Sequence, residues 1–441
     1  MGNATQPHCV FGHSRRRLRS LQLTGDDAAA MSTPISDKHN ARPGSKALRG
    51  GNRSPGPFFP RFVLCVGIIS GLISNACADE RSTSGAQSAK SAVFDRVLLS
   101  SEEWRRLDRA VERGLNFISE SQLADGSFPT DPDGQPGVTS LCVMAFLARG
   151  HQPGKGPHGS QLVKAIDYVL SIQDPEVGSI FPERFVGGRT PRSFSGNYNH
   201  GISALMLAEV YGMTDANRHE HIRQTITRAL KYTRAQQLRP KRNPDDRGGW
   251  RYVHDFGIND SDLSITAWQL MFLRAARNAE FHVPKEWINE ALGYVHRSFD
   301  VNERGFVYAM LTDERYCSRG MVGAGIVCLE LGGEHRSETA KEAGNWILRH
   351  SFQPYGNSSH IDDRYHYSAF YCGQAMFQLG GDYWHRFFPP FLKVLADAQH
   401  ADGSWDVDTQ RSDAIYGNVY TTALTVLALA PPYQLLPIYQ R

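Results

Sequence analysis

The chain has 441 residues, of which 41% are hydrophobic, and this is enough for one large core. Its net charge of +3 at pH 7 carries no strong electrostatic signal for nucleic-acid binding. The sequence contains no P-loop, no glycine-rich dinucleotide fingerprint and no metal-type cysteine pair, so neither a cofactor nor a metal is predicted.

Residues 1–78 are predicted to be an extension that ends in a secretory signal. A basic region precedes a short apolar run at residues 62–73, and Ala76-Cys77-Ala78 follows it. This order is typical of a signal peptide, here cleaved after Ala78, so we expect export to the periplasm or the exterior. An uncleaved membrane anchor is the alternative. A start at Met31 would give the signal a more ordinary length than a start at Met1.

Residues 79–98 are predicted to be a disordered linker, and residues 99–441 the folded domain. Within the domain a motif recurs: an amphipathic helix, then Gln, then Asp-Gly-Ser-aromatic. Its best copies lie at residues 114–128 and 391–405. Each copy leads through a loop into a second, more apolar helix, so the repeating unit is a helical hairpin of roughly 50 to 60 residues.

Six such hairpins can be counted. The first helices are amphipathic and are predicted to begin near Leu115, Ala165, Ala229, Ala291, Gly344 and Phe391. The second helices are apolar almost all round and lie near residues 141–148, 202–210, 265–275, 322–331, 370–379 and 423–430. Helices that are apolar on every side are buried on every side. The pattern therefore predicts an all-α fold, an α/α toroid with an inner and an outer ring of helices.

An open solenoid of stacked helix pairs is the alternative architecture. A solenoid needs atypical, polar repeats at its two ends. Here the first and last copies are the best formed, which favours closure into a ring. The N-termini of the inner helices would then converge around a central cavity, where unpaired N–H groups suit polar chemistry.

The sharpest local feature is the segment from Asp260 to Gln269. Asp262 and Thr266 stand one helical turn apart on one face. Helix capping explains Asp260 or Ser261 as the N-cap, with Asp262 in the first turn. A catalytic role for Asp262 and Asp260 is the competing interpretation.

The turns, the six hairpins and this segment together resemble the prenyltransferase and squalene oxidase repeat family, over residue 100 to the end. That family includes squalene-hopene cyclases, oxidosqualene cyclases and protein prenyltransferase β subunits. The resemblance implies a cavity for a long isoprenoid, and it makes this chain a divergent, secreted, bacterial-type member. In the bacterial cyclases an Asp-x-Asp-Asp-Thr-Ala motif protonates an alkene.

Aligned to that motif, this chain reads Asp262-Leu-Ser264-Ile265-Thr266-Ala267. The proton-donating aspartate becomes Ser264, and a hydroxyl is too weak an acid to protonate an alkene. The zinc ligands of the prenyltransferases are also incomplete. His366 lies in a similar segment, but only Asp313 and Cys317 could join it, so no metal site is predicted.

Three functions follow as hypotheses. The first is a terpenoid-cyclase-like toroid that binds or transforms an apolar, isoprenoid-like molecule. The second is an exported carbohydrate-active enzyme on a related α/α barrel, with Asp262 and Asp362 or Asp363 as its carboxylates. The third is a non-catalytic binding protein or scaffold. The sequence leaves open catalysis itself, peripheral membrane contact and oligomeric state.

If the protein is catalytic, Asp262 is the predicted acid or orienting carboxylate, with His200 and His366 as auxiliary bases. The remaining predicted ligand-binding residues are aromatic or polar groups near the starts of the inner helices: Trp268, Thr266, Tyr198, Tyr365, Tyr367, Tyr416 and Tyr420.

Overall fold

A computed structural model describes residues 99–182, 194–360, 362–407 and 412–439. The predicted signal, its cleavage site and the predicted linker lie outside these residues. Helices dominate the described part, which confirms the all-α toroid. No described helix has both the length and the apolar character needed to cross a lipid bilayer.

The outer ring consists of the first helix of each hairpin. These helices are Ser101–Glu120 (α1), Gly159–Ser171 (α3), Ala216–Gln237 (α5), Lys285–Arg297 (α7), Glu338–Arg349 (α9) and Gly381–Asp397 (α11). They are amphipathic: α1, for example, buries Leu107, Val111 and Leu115 at helical spacing and exposes its charged face. They begin well before the predicted positions, because their first turns are polar and face solvent.

The inner ring consists of the second helix of each hairpin. These helices are Gly137–Ala148 (α2), Gly196–Val210 (α4), Leu263–Asn278 (α6), Arg319–Leu331 (α8), Tyr365–Leu379 (α10) and Gly417–Leu429 (α12). In α2 and α10 every residue is buried. The fourth hairpin also carries a two-stranded antiparallel ribbon of Phe299–Asp300 (β1) and Gly305–Phe306 (β2).

The ring is closed. Each inner helix packs against the next one, and α12 packs against both α2 and α1. A glutamine at the end of an outer helix ties neighbouring hairpins together by donating to two carbonyls. Gln122 Nε2 donates to Gly126 O at 3.0 Å and to Gln161 O of the next outer helix at 2.9 Å. Gln399 Nε2 does the same with Gly403 O and with Ala110 O of α1, both at 2.9 Å.

The glycine of each turn is needed at this joint. Gly126 and Gly403 have φ of 91° and 95°, and an added Cβ would overlap a carbonyl oxygen of the adjoining outer helix, Lys164 and Arg113 respectively. The turn of the second hairpin, which lacks the full sequence motif, has the same design: Gln173 donates to Gly178 O and to Thr225 O. In this turn Ile180 stands where the motif has an aromatic residue.

The far end of the ring, at the C-termini of the inner helices, is covered by the last segment of the chain. A short 3-10 helix, Pro437–Tyr439, packs against α6. Ile438 N–H donates to the buried Glu209 carboxylate at 3.2 Å, and Gln378 Nε2 donates to Tyr439 O at 3.1 Å. Burial raises the pKa of Glu209 to about 8, against the effect of the Ile438 N–H. This segment closes one end, so the central cavity opens at the other.

Candidate functional site

A cavity of about 710 Å³ lies where the N-termini of the inner helices converge. All six hairpins contribute to it, as the sequence pattern predicts. The inner helices supply Val138, Tyr198, Ser264, Gly320, Tyr367 and Tyr420 to its lining. Its volume falls in the range of pockets that bind small molecules.

The floor of the cavity is apolar. Its side chains come from positions inside the inner helices: Leu141, Ile202, Trp268, Met321 and Leu424. The Trp268 indole stacks on Phe370 with ring centroids 5.3 Å apart and an angle of 3° between the planes. Because Phe370 supports the ring from behind, Trp268 is a rigid part of the floor.

Tyrosines form much of the wall. They are Tyr198, Tyr252, Tyr308, Tyr316, Tyr367, Tyr416 and Tyr420. The Tyr252 and Tyr308 hydroxyls share a hydrogen bond of 2.7 Å. The Tyr367 hydroxyl lies 2.6 Å from Ser264 Oγ and accepts from Trp268 Nε1 at 3.1 Å. The hydroxyl of Ser264, at the place of the cyclase acid, is therefore engaged by Tyr367.

Charged groups stand at the rim, on the segments that link the outer and inner helices. Those among the described residues are Asp131 and Asp133 of the first hairpin, Glu314 of the fourth, and Asp362 and Arg364 of the fifth. In a closed ring of six hairpins, the first and fourth face each other. Carboxylates thus occupy opposite sides of the cavity mouth.

Glu314 is held in position by two neighbouring side chains. Arg251 Nη2 donates to its two oxygens at 2.8 and 3.0 Å, and Asn259 Nδ2 donates to Oε2 at 2.6 Å. The Arg251 side chain is almost fully buried, whereas Glu314 is partly exposed to the cavity. Because Arg251 and Asn259 hold it from below, Glu314 presents a fixed carboxylate to a ligand.

Asp262 lies in the same network but outside the cavity lining. It is fully buried, and its Oδ2 stands 3.5 Å from Arg251 Nη1. Burial raises the pKa of Asp262 to about 7, although Arg251 opposes the shift. Asp262 itself is the N-cap of α6 and accepts from Ile265 N at 2.8 Å, which corrects the prediction of Asp260 or Ser261 as the cap. Ser261 Oγ instead donates to Asp246 O.

Asp260 is part of a surface ion pair. Arg242 donates to it from its backbone N–H at 2.6 Å and from Nε at 2.9 Å, and Lys241 Nζ donates to its carbonyl. Partial burial opposes the shift, but these Arg242 contacts lower the pKa of Asp260 below its usual range. The pair joins two parts of the third linking segment, so the structure gives Asp260 a structural position away from the cavity.

Thr266 and His200 hold the turns of the repeat and do not line the cavity. Trp250 N–H donates to Thr266 Oγ1 at 3.0 Å, just as Phe128 N–H donates to Thr139. In the second hairpin His200 Nδ1 takes this place and accepts from Ile180 N–H at 3.2 Å. Burial lowers the pKa of His200 to about 3, so the ring is neutral.

His366 and Tyr365 pack beneath the fifth linking segment, outside the cavity lining. His366 Nε2 lies 2.9 Å from the Tyr355 hydroxyl, and Tyr365 O–H donates to Phe352 O at 2.8 Å. Burial lowers the pKa of His366 to about 3. Neither residue reaches a ligand in the cavity from this position.

Asp362 and Asp363, the two candidates for the second carboxylate of a carbohydrate-active enzyme, also differ in position: one lines the cavity and the other does not. Asp362 is exposed and lines the mouth. Asp363 is fully buried in an ion pair with Arg319 Nη2 at 2.7 Å and accepts from Ser368 Oγ at 2.5 Å. Asp363 therefore fixes the fifth linking segment and leaves Asp362 as the residue that a ligand meets.

Several lining residues were not predicted from the sequence, because they lie outside the first turns of the inner helices. The missed residues lie in the linking segments or just before the helices: Asp131, Asp133, Tyr252, Tyr308, Glu314, Tyr316 and Arg364. Their shared signal is position, a charged or tyrosine residue shortly before an inner helix. Among the described residues, no group of three or more His, Cys, Asp or Glu side chains is arranged to hold a metal ion.

Solved structures with a similar fold belong to several enzyme classes. One is a variant of the type II terpene cyclase MstE from Scytonema in complex with its substrate, geranylgeranyl dihydroxybenzoate (14% identity, 76% of this chain, 100% of that chain, TM-score 0.51). Another is a glycosidase variant (16% identity, 77% and 100%, TM-score 0.50). A third is a D-mannose isomerase (11% identity, 77% and 99%, TM-score 0.54).

At such low identity these likenesses concern the fold alone. The sequence matches no protein family and no curated protein. The prediction of an α/α toroid is thus confirmed as an architecture. The membership in the repeat family stays a prediction.

Proposed function

We propose that the central cavity binds an amphiphilic small molecule, with a long isoprenoid-type chain on the floor and a polar head at the mouth. The observation that carries this proposal is the division of the cavity into two zones. Five apolar side chains of the inner helices form the floor, and charged residues of the linking segments form the rim. Burial of the chain against such a floor contributes about 25 cal/mol per Å² of apolar surface.

The terpene cyclase with a similar fold binds a ligand of this kind, a geranylgeranyl chain on a dihydroxybenzoate. Alkene protonation does not follow from that likeness. Ser264 occupies the place of the acid and bonds to Tyr367, while Asp262 lies outside the cavity lining. The proposal is therefore binding, with any chemistry directed at the polar head.

A carbohydrate-active enzyme is the second candidate, and a specific observation favours it. Carboxylates of the first and fourth hairpins, Asp133 and Glu314, both line the cavity together with several tyrosines, and these two hairpins are opposite members of a ring of six. Glycoside hydrolysis uses two carboxyl groups on opposite sides of the scissile bond. A glycosidase is also among the proteins with a similar fold. Under this hypothesis an oligosaccharide would lie across the mouth and leave the floor empty.

One experiment separates the two candidates. The purified protein is titrated with a C20 isoprenoid alcohol and, separately, with oligosaccharides, and binding is followed by thermal shift and tryptophan fluorescence. We expect the alcohol to bind. The variant Ile202→Trp fills the floor and should abolish this binding, whereas Leu238→Trp, at a position that is 61% exposed on the outer surface, should not.

Stabilisation by a sugar alone, with unchanged sugar binding in Ile202→Trp, would overturn the proposal in favour of the second candidate. In that case Glu314→Gln should abolish hydrolysis of the sugar, because the amide cannot act as an acid or a base. A lipid found by mass spectrometry in the purified protein would support the isoprenoid proposal directly.

A further inference from the structure

We infer that Asp262 is a positioning residue of the ligand site: through Arg251 it sets how strongly Glu314 accepts a hydrogen bond from the head group of the ligand. This role rests on the proposed function, because it concerns the head of the same amphiphilic molecule. Three features carry it: a line of three charged groups, the fixed position of the arginine at its centre, and the incomplete hydrogen bonding of the buried pair.

The line of charged groups runs from the cavity into the core. Glu314 lines the cavity and accepts from Arg251 Nη2 at 2.8 and 3.0 Å. On the other side of the guanidinium, Asp262 Oδ2 lies 3.5 Å from Nη1. Asp262 is fully buried and lies outside the cavity lining. Arg251 is therefore shared between one carboxyl group that a ligand can reach and one that it cannot.

The guanidinium at the centre of this line is held in place. Its carbon lies 4.7 Å from the centroid of the Tyr252 ring and 5.7 Å from that of Tyr308, and the two tyrosine hydroxyls are 2.7 Å apart. The Arg251 carbonyl accepts from Asn197 Nδ2 at 2.6 Å. A change of charge on one side of the guanidinium thus acts on the other side by electrostatics rather than by movement.

Capping of α6 does not account for the whole Asp262 side chain. The cap bond from Ile265 N uses Oδ1 alone. Asp262 Oδ2 and Arg251 Nη1 are buried and have no hydrogen-bond partner among the described residues. A buried ion pair with incomplete hydrogen bonding costs stability, and such groups are concentrated at functional sites.

The Asp262 carboxyl changes its charge near neutral pH. Burial raises its pKa to about 7, against the effect of Arg251. When Asp262 is protonated, the charge of Arg251 is directed at Glu314 alone. When Asp262 is ionised, two carboxylates share that charge, so Glu314 becomes the stronger acceptor for a hydroxyl of the ligand. Affinity for a head group that donates a hydrogen bond should therefore rise with pH.

Other groups around Asp262 are accounted for in the same range. The titratable and charged groups that face it among the described residues are Arg251, Glu314, Asp246, Lys241, Tyr198, Tyr252, Tyr294, Tyr308 and Tyr316. Burial raises the pKa of each of these tyrosines, so they remain neutral up to pH 9. Burial lowers the pKa of Lys241 to about 8, so Lys241 requires a control of its own.

Two probes with the same C20 isoprenoid chain test the role of Asp262: the alcohol and its methyl ether, each below its micelle concentration. Neither probe titrates, and the ether has no hydroxyl to donate. Between pH 5.5 and pH 8.5 we expect the affinity of the alcohol, measured by tryptophan fluorescence, to rise roughly fivefold, as is usual for coupled sites. The affinity of the ether should stay constant.

Variants at both ends of the line locate the effect. Asp262→Asn keeps a cap acceptor and cannot ionise, so alcohol affinity should stay near the low-pH value of the wild type at every pH. Glu314→Gln, at a partly exposed position, should also abolish the rise, and it remains informative if Asp262→Asn does not fold.

Two matched controls should retain the rise. Lys241→Gln removes the second group that titrates in this range. Asp215→Asn alters the exposed aspartate N-cap of the outer helix α5, which accepts from Arg218 N at 3.1 Å.

The outcomes distinguish the positioning role from the proposed function. Equal pH dependence for alcohol and ether, or a rise that Asp262→Asn retains, would overturn the role while the isoprenoid-binding cavity stands. A uniform loss of affinity for both probes in Asp262→Asn, at every pH, would also overturn it, because that result indicates a structural effect alone. Failure of both probes to bind the wild type at any pH would instead overturn the proposed function itself.

Discussion

At the scale of single residues, the segment from Asp260 to Asp262 shows how tertiary contacts decide which of three suitable residues becomes the N-cap of a helix. Asp260, Ser261 and Asp262 are all good N-cap residues, so local preference does not rank them. The choice falls on Asp262 because Asp246 accepts from Asp260 N–H and from Ser261 Oγ, and Asp262 N–H bonds to Trp250 O. These partners are distant in sequence, which is why the cap could not be predicted from the sequence.

The buried Asp262 carboxyl makes stability depend on pH. Its pKa of about 7 in the folded state lies above its ordinary value near 4, so the folded state binds the proton more tightly. The contribution of this group is fully present below pH 4 and is lost as pH rises through 7. Asp262→Asn keeps a cap acceptor but cannot ionise, so it should be more stable than the wild type at pH 8, by on the order of 2 kcal/mol.

Urea unfolding at pH 4.5 and pH 8 measures this difference. Asp262→Ala serves as the control, because it loses the cap and should cost about 1 kcal/mol relative to Asp262→Asn at both pH values. Parallel pH profiles for the wild type and Asp262→Asn would show that ion pairing with Arg251, rather than burial, governs the carboxyl.

At the scale of elements, the repeat was predictable because the turn that joins neighbouring hairpins is built from chemically distinctive residues that are close in sequence. A glutamine, a glycine and an aromatic residue recur at fixed spacing, and each has a role at the joint between hairpins. The turn of the second hairpin does not show the motif, because Ile180 and His200 replace the aromatic residue and the threonine while keeping the same hydrogen bond. A substitution that preserves an interaction can thus erase the pattern by which the interaction is recognised.

The turn of the sixth hairpin, which contacts α1, offers a test of this joint between hairpins. Gly403→Ala forces a residue with φ of 95° to carry a Cβ against Arg113 O, so it should destabilise the protein by on the order of 2–4 kcal/mol. Gly212→Ala is the matched control: its φ is 86°, but no atom lies within 4 Å of the added Cβ.

The control should cost only about 1 kcal/mol, the backbone strain alone. Thermal unfolding of both variants gives the comparison. Equal losses in the two variants would mean that the close approach of the turn to α1 contributes little to ring closure.

At the scale of the whole molecule, the architecture and the position of the cavity were predictable, but the rim was not. Helical periodicity identifies the rings, and ring geometry places the helix N-termini together. The linking segments have no periodicity, so nothing in the sequence shows that Glu314 and Asp133 meet at one opening. Tyr198, Tyr367, Tyr416 and Tyr420 were found because they belong to inner helices or directly precede one.

The C-terminal segment that covers the closed end of the ring should open more readily as pH rises. The pKa of Glu209 is about 8 while the C-terminal segment covers it, and its ordinary value in water is near 4.5. Ionising the covered carboxyl therefore costs free energy, and opening of the segment removes this cost. The wild type should therefore hold the segment firmly below pH 5 and progressively less firmly up to pH 9.

Limited proteolysis of the C-terminal segment at pH 6 and pH 9, read by mass spectrometry, measures the opening. Glu209→Gln retains an oxygen for Ile438 N–H and cannot ionise, so it should show the smaller increase in cleavage between the two pH values. Identical increases in the two proteins would contradict a role for Glu209 in holding the segment.

Closure of the ring by the contacts of α12 with α1 and α2 also limits how such a chain can evolve. An open array tolerates the gain or loss of one unit, because its neighbours simply stack again. Here the loss of one hairpin would leave two apolar faces without partners, so the number of hairpins is held constant. Change is instead accommodated in the linking segments, where insertions and substitutions leave the helices undisturbed. The parts of the chain that are freest to diverge are thus the parts that surround the mouth of the cavity.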